Sequence, residues 1–148
     1  MGTRRKSREL ALHALYQGEM TAASPVDTFP RLCDNFEVSR KAVPYAEELV
    51  TGIMAHREAI DRRIQDAAAH WRVERMSVID RNIMRIAVYE LCFRDDVPAS
   101  VAINEAIEVA KRYSADDSPA FINGILDAIQ KAASGKQWQL NPADKPLV

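Results

Sequence analysis

LVTGIMAHREAIDRRIQDAAAHW, running from Leu49 to Trp71, decides the fold class. Within it Leu49, Ile53, His56, Ile60, Ile64, Ala67 and Trp71 advance in steps of three or four residues, which keeps them on one stripe of an α-helix. A strand would need alternation with period two, and no stretch of the chain sustains it. The spacing predicts one long helix from near Pro44 to near His70. His56 on that stripe reads as a core or boundary residue, because neither the other histidines (His13, His70) nor Cys33 and Cys92 stand near it at metal-ligand spacing.

Outward from this segment the same period recurs. Leu10, Ala11, Ala14 and Leu15 share one face of a helix expected over about Thr3 to Met20, and Pro25 and Pro30 bracket a short second helix or irregular link. On the other side, Ser77 with Asp80 three positions on resembles an N-terminal cap. The helix it opens, to about Phe93, is apolar on most sides through Ile79, Ile83, Met84, Ile86, Ala87, Val88 and Leu91. Such a helix belongs at the centre of a domain; Arg85, Tyr89 and Glu90 are its polar exceptions. Asp95-Asp96-Val97-Pro98 makes a turn before a helix from Ala99 to Tyr113 that directs Ile103, Ala106, Ile107 and Ala110 inward. Ser118-Pro119 is a helix start, a cap residue followed by proline at the first helical position. The last helix carries Ile122, Ile125, Leu126 and Ile129 inward and ends near Gly135. Gly124 in its interior costs about 1 kcal/mol relative to alanine, with close approach of another helix expected in compensation. The fold expected is all-α, six to seven helices in two small packed bundles. The N-terminal bundle covers about 3–71, the C-terminal bundle about 77–134, with the division near 72–76 and a loosely ordered tail over 135–148.

A chain of 148 residues, 47% hydrophobic and 28% charged, can bury a core without disulfides or metals. It has no apolar run approaching the roughly 18 residues of a bilayer span and no apolar signal core behind its basic start; a cytoplasmic location is expected. Cys33 and Cys92 form no CxxC pair and are expected as free thiols, with Cys92 buried. The net charge of −1 conceals an asymmetry. The first eight residues hold Arg4, Arg5, Lys6 and Arg8 without an acid, and the remainder holds 16 bases against 21 acids. A basic end on an acidic body suits a polyanion; a merely solubilising terminus is the alternative.

Catalytic signatures are missing: no GxxxxGK[ST], no GxGxxG after a strand, no HExxH and no GxSxG. The acid pairs Glu47-Glu48, Asp95-Asp96 and Asp116-Asp117 read as solvated charge. Neither an enzyme nor a cofactor or metal site is expected. Arginine forks bind phosphate oxygens in pairs and stack on bases; four cations on a single strand would give a log–log salt slope of about −3. Selecting single-stranded RNA needs aromatic platforms as well. Phe121, outside the inward stripe of its helix, is a candidate platform, with core packing as the alternative.

Four segments in order, RRKSRELALHALYQ (Arg4–Gln17), IDRNIMRIAVYEL (Ile79–Leu91), VPASVAINEAIEVAKRYS (Val97–Ser114) and DDSPAFINGILDAI (Asp116–Ile129), resemble the NusB family across residues 3–133, the last two most specifically. The resemblance implies two small helical bundles and a transcription antitermination factor. Such factors bind boxA single-stranded RNA of nascent ribosomal RNA transcripts with NusE, a small ribosomal protein. Other Nus factors and RNA polymerase complete the antitermination complex, which reads through terminators. It also implies RNA contacts at Arg4, Arg5, Lys6 and Arg8, with Arg85 and Phe121 as further RNA-side candidates, and a partner surface near Tyr16, Asp80 and Asp117. Each has a plainer reading: Arg85 in a salt bridge with Glu90 or another acid, Tyr16 as core with its hydroxyl at the rim, Asp80 and Asp117 as helix-start acids. Ser7 interrupts the basic run, which favours partner-assisted binding, and Met84 replaces another aliphatic residue without harm to packing.

Two other readings compete. One is the NusB-like domain carried by RNA methyltransferases, for whose catalytic domain 148 residues leave no room. The other is a structural module with an incidental basic arm. A monomer and a homodimer both fit the sequence.

Overall fold

Apolar side chains at helical spacing do build helices throughout. The computed structural model describes residues 2–35 and 39–135, and among them are seven α-helices, two 3-10 turns and no strand. The expected tail beyond Gly135 lies outside the described residues. No described helix is long and apolar enough to cross a membrane. Two compact units divide between Ala55 and His56.

The first unit holds α1 (Thr3–Thr21), α2 (Pro25–Asn35) and α3 (Val43–Ala55), each packed on the other two, with a 3-10 turn at Arg40–Ala42 before α3. Leu10, Ala11, Ala14 and Leu15 are buried as their spacing predicts, against Phe29, Leu32, Ala46, Leu49, Val50 and Ile53. Gly18 is where α1 meets the start of α2. A Cβ there would lie 2.4 Å from Pro25 Cγ and 3.1 Å from the Ala23 carbonyl oxygen, so only glycine admits the approach. Pro25 opens α2 as its first residue, and Pro30 lies inside that helix.

The second unit holds α4 (Arg57–Ala68), a 3-10 turn at Val73–Arg75, α5 (Val78–Phe93), α6 (Ala99–Tyr113) and α7 (Ser118–Gly135). α5 is central, as its composition predicts: it packs on α4, α6 and α7, and every residue from Asn82 to Glu90 is buried. Ile103, Ala106, Ala110, Ile122, Ile125, Leu126 and Ile129 close the core around it. Ile79, Leu91 and Ile107 are only half-buried.

The long helix expected from Pro44 to His70 is two helices. His56 (φ −119°, ψ 22°) ends the run as the cap residue of α4, its carbonyl accepting the Ile60 N–H at 3.0 Å. Leu49 and Ile53 then fill the first core, Ile60 and Ile64 the second. Periodicity records which side chains are apolar, not which neighbour buries them, so one stripe can serve two cores. Because α4 packs on α5 and α7, the division falls at 55/56 and not near 72–76. His56 itself is half-buried, its ring stacked on Phe93 at 4.5 Å. Trp71, the last residue of the stripe, lies beyond α4 and is 61% exposed. Gly124 departs as well: it is exposed, and among the described residues nothing lies within 4 Å of where a Cβ would stand, so none of the described helices makes the approach expected there.

Candidate nucleic-acid interface

The basic residues of the N-terminus form the first two turns of α1 instead of a loose arm. Ser7, fully buried, fixes them: its hydroxyl donates to the Ala42 carbonyl at 2.8 Å and approaches that of Thr3 at 3.1 Å. The residue that interrupts the run in sequence thus ties it to the 3-10 turn before α3. Arg4 lies 4.0 Å from the centre of the Tyr45 ring and Arg8, one turn on, 6.0 Å from it, within cation–π range. Arg4 and Lys6 are exposed, Arg5 half-buried and Arg8 only 5% exposed. Arg8 therefore serves the packing of α1 on α3 more than a ligand, and the salt slope expected of the remaining three is about −2.

No acid stands in the first turn of α1, where the helix dipole is already positive; cations there reinforce an anion-attracting field. Exposed Arg40 and Lys41 extend the cationic surface on the turn that Ser7 grips. Sequence reasoning missed these two and Tyr45. A dibasic pair behind Ser39 was the available signal for the former; nothing in sequence marked Tyr45.

In the second unit Phe121 is half-buried at the start of α7, and its ring meets Trp71 edge-on at 5.9 Å. The backbone of Trp71 is held in place by Gln65, whose Nε2 donates to the Trp71 carbonyl at 2.8 Å and whose Oε1 accepts the Val73 N–H at 3.0 Å. Two aromatic rings, one at the start of α7 and one on a turn that Gln65 holds and largely in water, offer a surface on which flat heterocycles can stack. The sequence stripe had hidden Trp71 by assigning it to the core.

Arg85 is not part of either surface. Its side chain is 5% exposed and bidentate to Asp61, Nε to Oδ1 at 2.8 Å and Nη2 to Oδ2 at 2.9 Å, while Nη1 donates to Asn82 Oδ1 at 3.0 Å. The guanidinium joins α5 to α4 and leaves little of its surface for a ligand. A buried charge must be paired; the partner is Asp61 of α4, which no sequence spacing indicated.

Among the partner-side candidates, Tyr16 is 39% exposed on α1, and Asp117 is exposed, its carbonyl accepting the Phe121 N–H at 3.3 Å. Asp80 is different. It is 8% exposed, and its N–H donates to Ser77 Oγ at 3.0 Å, the predicted cap. Its carboxylate accepts the hydroxyls of Ser114 and of Ser118, the latter at 2.9 Å. One carboxylate thereby gathers the start of α5, the end of α6 and the start of α7. Ser118, expected to cap α7 from outside, is its first residue, and its hydroxyl goes to Asp80. Asp80 can shape a surface there but offers it little area.

Cys33 and Cys92 are free and half-buried. Burial, with Asp34 and Glu47 nearby, raises the Cys33 thiol above its ordinary value. Burial pushes Cys92 up to about 12 against the opposing field of Arg63. Neither is an activated nucleophile.

A sequence model of the NusB family matches residues 5–131. The transcription antitermination protein NusB of Desulfotalea psychrophila is 46% identical over 136 residues, 88% of this chain and 96% of that protein. The one from Geotalea uraniireducens is 45% identical over 145 residues, 93% of this chain and all of its own. Among solved structures, T. maritima NusB superposes with a TM-score of 0.79 at 39% identity, covering 86% of this chain and 90% of that one. A structure of antitermination factors NusB and NusE with double-stranded RNA gives 0.80 at 28% identity, covering 89% and 98%.

Proposed function

The chain belongs to the NusB family, and from that premise we propose that it is a transcription antitermination factor. It binds boxA RNA of nascent ribosomal RNA transcripts together with NusE and promotes readthrough by RNA polymerase in company with other Nus factors. It works in the cytoplasm and by recruitment, with no chemistry of its own. The observation that carries the RNA reading is the positive N-terminus of α1. Arg4, Arg5 and Lys6 sit there on a helix that Ser7 anchors.

In this reading Arg4, Arg5 and Lys6, with Arg40 and Lys41, take phosphates, while Phe121 and Trp71 take bases. The phosphate contacts supply affinity and the stacked rings favour unpaired bases. Tyr16 and Asp117 meet NusE directly; Asp80 contributes by fixing the helix ends beside Asp117 through Ser118.

The test is a titration of boxA-like single-stranded RNA, a scrambled strand and an RNA duplex, each with and without NusE. Preference for the boxA strand that grows with NusE is the expected result; equal weak binding of all three in both conditions would leave a structural module. Arg4→Ala with Arg5→Ala should weaken binding and reduce the magnitude of the salt slope by about 1.4, with thermal unfolding unchanged. A slope equal to the parent's would remove α1 from the interface.

A further inference from the structure

We propose that Gly124 marks the place on α7 where the RNA strand comes closest to the protein backbone, one helical turn beyond Phe121 of the Phe121–Trp71 pair. This inference rests on the RNA-binding reading and deepens it.

A glycine inside a helix lowers the folding equilibrium about fivefold relative to alanine, because it gives up more backbone freedom and contributes no side chain. Folds accept that loss for two reasons, a positive φ or a close approach. Neither operates at Gly124 among the described residues. No described glycine has a positive φ, and a Cβ at Gly124 would meet nothing within 4 Å. Gly18 shows the contrast, since a Cβ there would strike Pro25 at 2.4 Å. Gly124 therefore leaves a side-chain-sized gap on the outer surface of α7, open to solvent.

That gap lies three residues beyond Phe121, hence on the same side of the helix and about one turn along it. The Phe121 ring and its edge-on neighbour Trp71, 61% exposed, are the base platform of the proposed interface. A base stacked there carries its sugar and phosphate to one side, about the reach of a helical turn. At Gly124 the strand can lie against bare backbone; any side chain would lift it off and pull the base from the rings. The glycine thus acts as a positioning residue for the strand.

The test sets stability and affinity against each other. Gly124→Ala should raise the folding equilibrium about fivefold, a gain of roughly 3 °C in Tm for a chain this long. Yet affinity for the boxA strand should fall at least threefold, and Gly124→Leu should lose at least tenfold. The salt slope should stay at the parent value in both, because no cation is removed. Phe121→Ala serves as the reference for the platform. If Phe121→Ala weakens RNA binding while Gly124→Leu binds as tightly as the parent, Gly124 has no part in the strand's path. If the leucine variant loses NusE and keeps RNA, the gap belongs to the protein partner and the inference also fails. A parent chain indifferent to RNA with and without NusE would overturn the antitermination reading itself, and this inference with it.

Discussion

Asp61→Asn should destabilise this protein more than most surface substitutions while leaving its intrinsic RNA contacts in place. The Arg85 guanidinium is 5% exposed and makes two charge-assisted bonds of 2.8 and 2.9 Å to Asp61. Neutralising the carboxylate removes a charged partner from a largely buried cation on the helix that α4, α6 and α7 all pack against. Breaking a fully buried pair costs about 3–5 kcal/mol. Asp61 retains 26% exposure and water screens it in part, so about 2–4 kcal/mol is expected, or roughly 6–12 °C in Tm. Arg57, 45% exposed and 3.7 Å from the same carboxylate, contributes little to that loss. Calorimetry of the parent, Asp61→Asn and the double variant Arg85→Met with Asp61→Leu decides the matter. The apolar pair should recover most of the stability, since replacing both residues removes the buried charge together with its carboxylate. RNA affinity of the double variant, measured below its transition, should then match the parent. A double variant that regains its Tm but loses RNA binding would show Arg85 to be a contact residue and refute the reasoning.

Three further outcomes follow from other sites. Asp80→Ala should cost about 2–4 kcal/mol, because two hydroxyls lose a charged acceptor in a largely buried place; a fall in Tm under about 3 °C would show that Ser114 and Ser118 find other partners. Gly18→Ala should destabilise by about 1–3 kcal/mol through overpacking against Pro25, despite alanine's better helix propensity; a gain in stability would mean that α2 shifts at no cost. The Cys92 thiol ionises near pH 12 in the fold against about 9 unfolded, so above pH 9 the unfolded chain sheds a proton that the native one keeps. Relative to Cys92→Ala, stability should then drop by up to about 1.4 kcal/mol per pH unit between 9 and 12; parallel pH profiles would contradict it.

Much of this was legible in the sequence, for reasons that differ by residue. Helix α6 falls where its apolar spacing and the Asp95–Pro98 turn put it, and the burial of α5 follows from having almost no polar face. These are local properties of the chain. The break at His56 was not legible: histidine is no helix breaker, and the apolar stripe runs through it in phase. Trp71 was misassigned for the same reason, because extrapolating a helix past its end sends the next aromatic inward. Of the site residues, the cationic turn was readable as charge, but that Arg8 is buried, near the ring of Tyr45 37 positions away, was not.

Alone, the order of residues determined the all-helical class, the central place of α5, the positive start and, through four consecutive segments, the family. Helical period, caps and charge are set by neighbours within a turn or two, so they survive without a third dimension. Where the chain divides, which cations stay in water, and what Arg85 and Asp80 do were decided by packing. Each depends on a partner from another helix: Asp61 for Arg85, Ser114 and Ser118 for Asp80, Ala42 for Ser7. A contact between distant positions is fixed by the folded path of the backbone, and no local pattern encodes it.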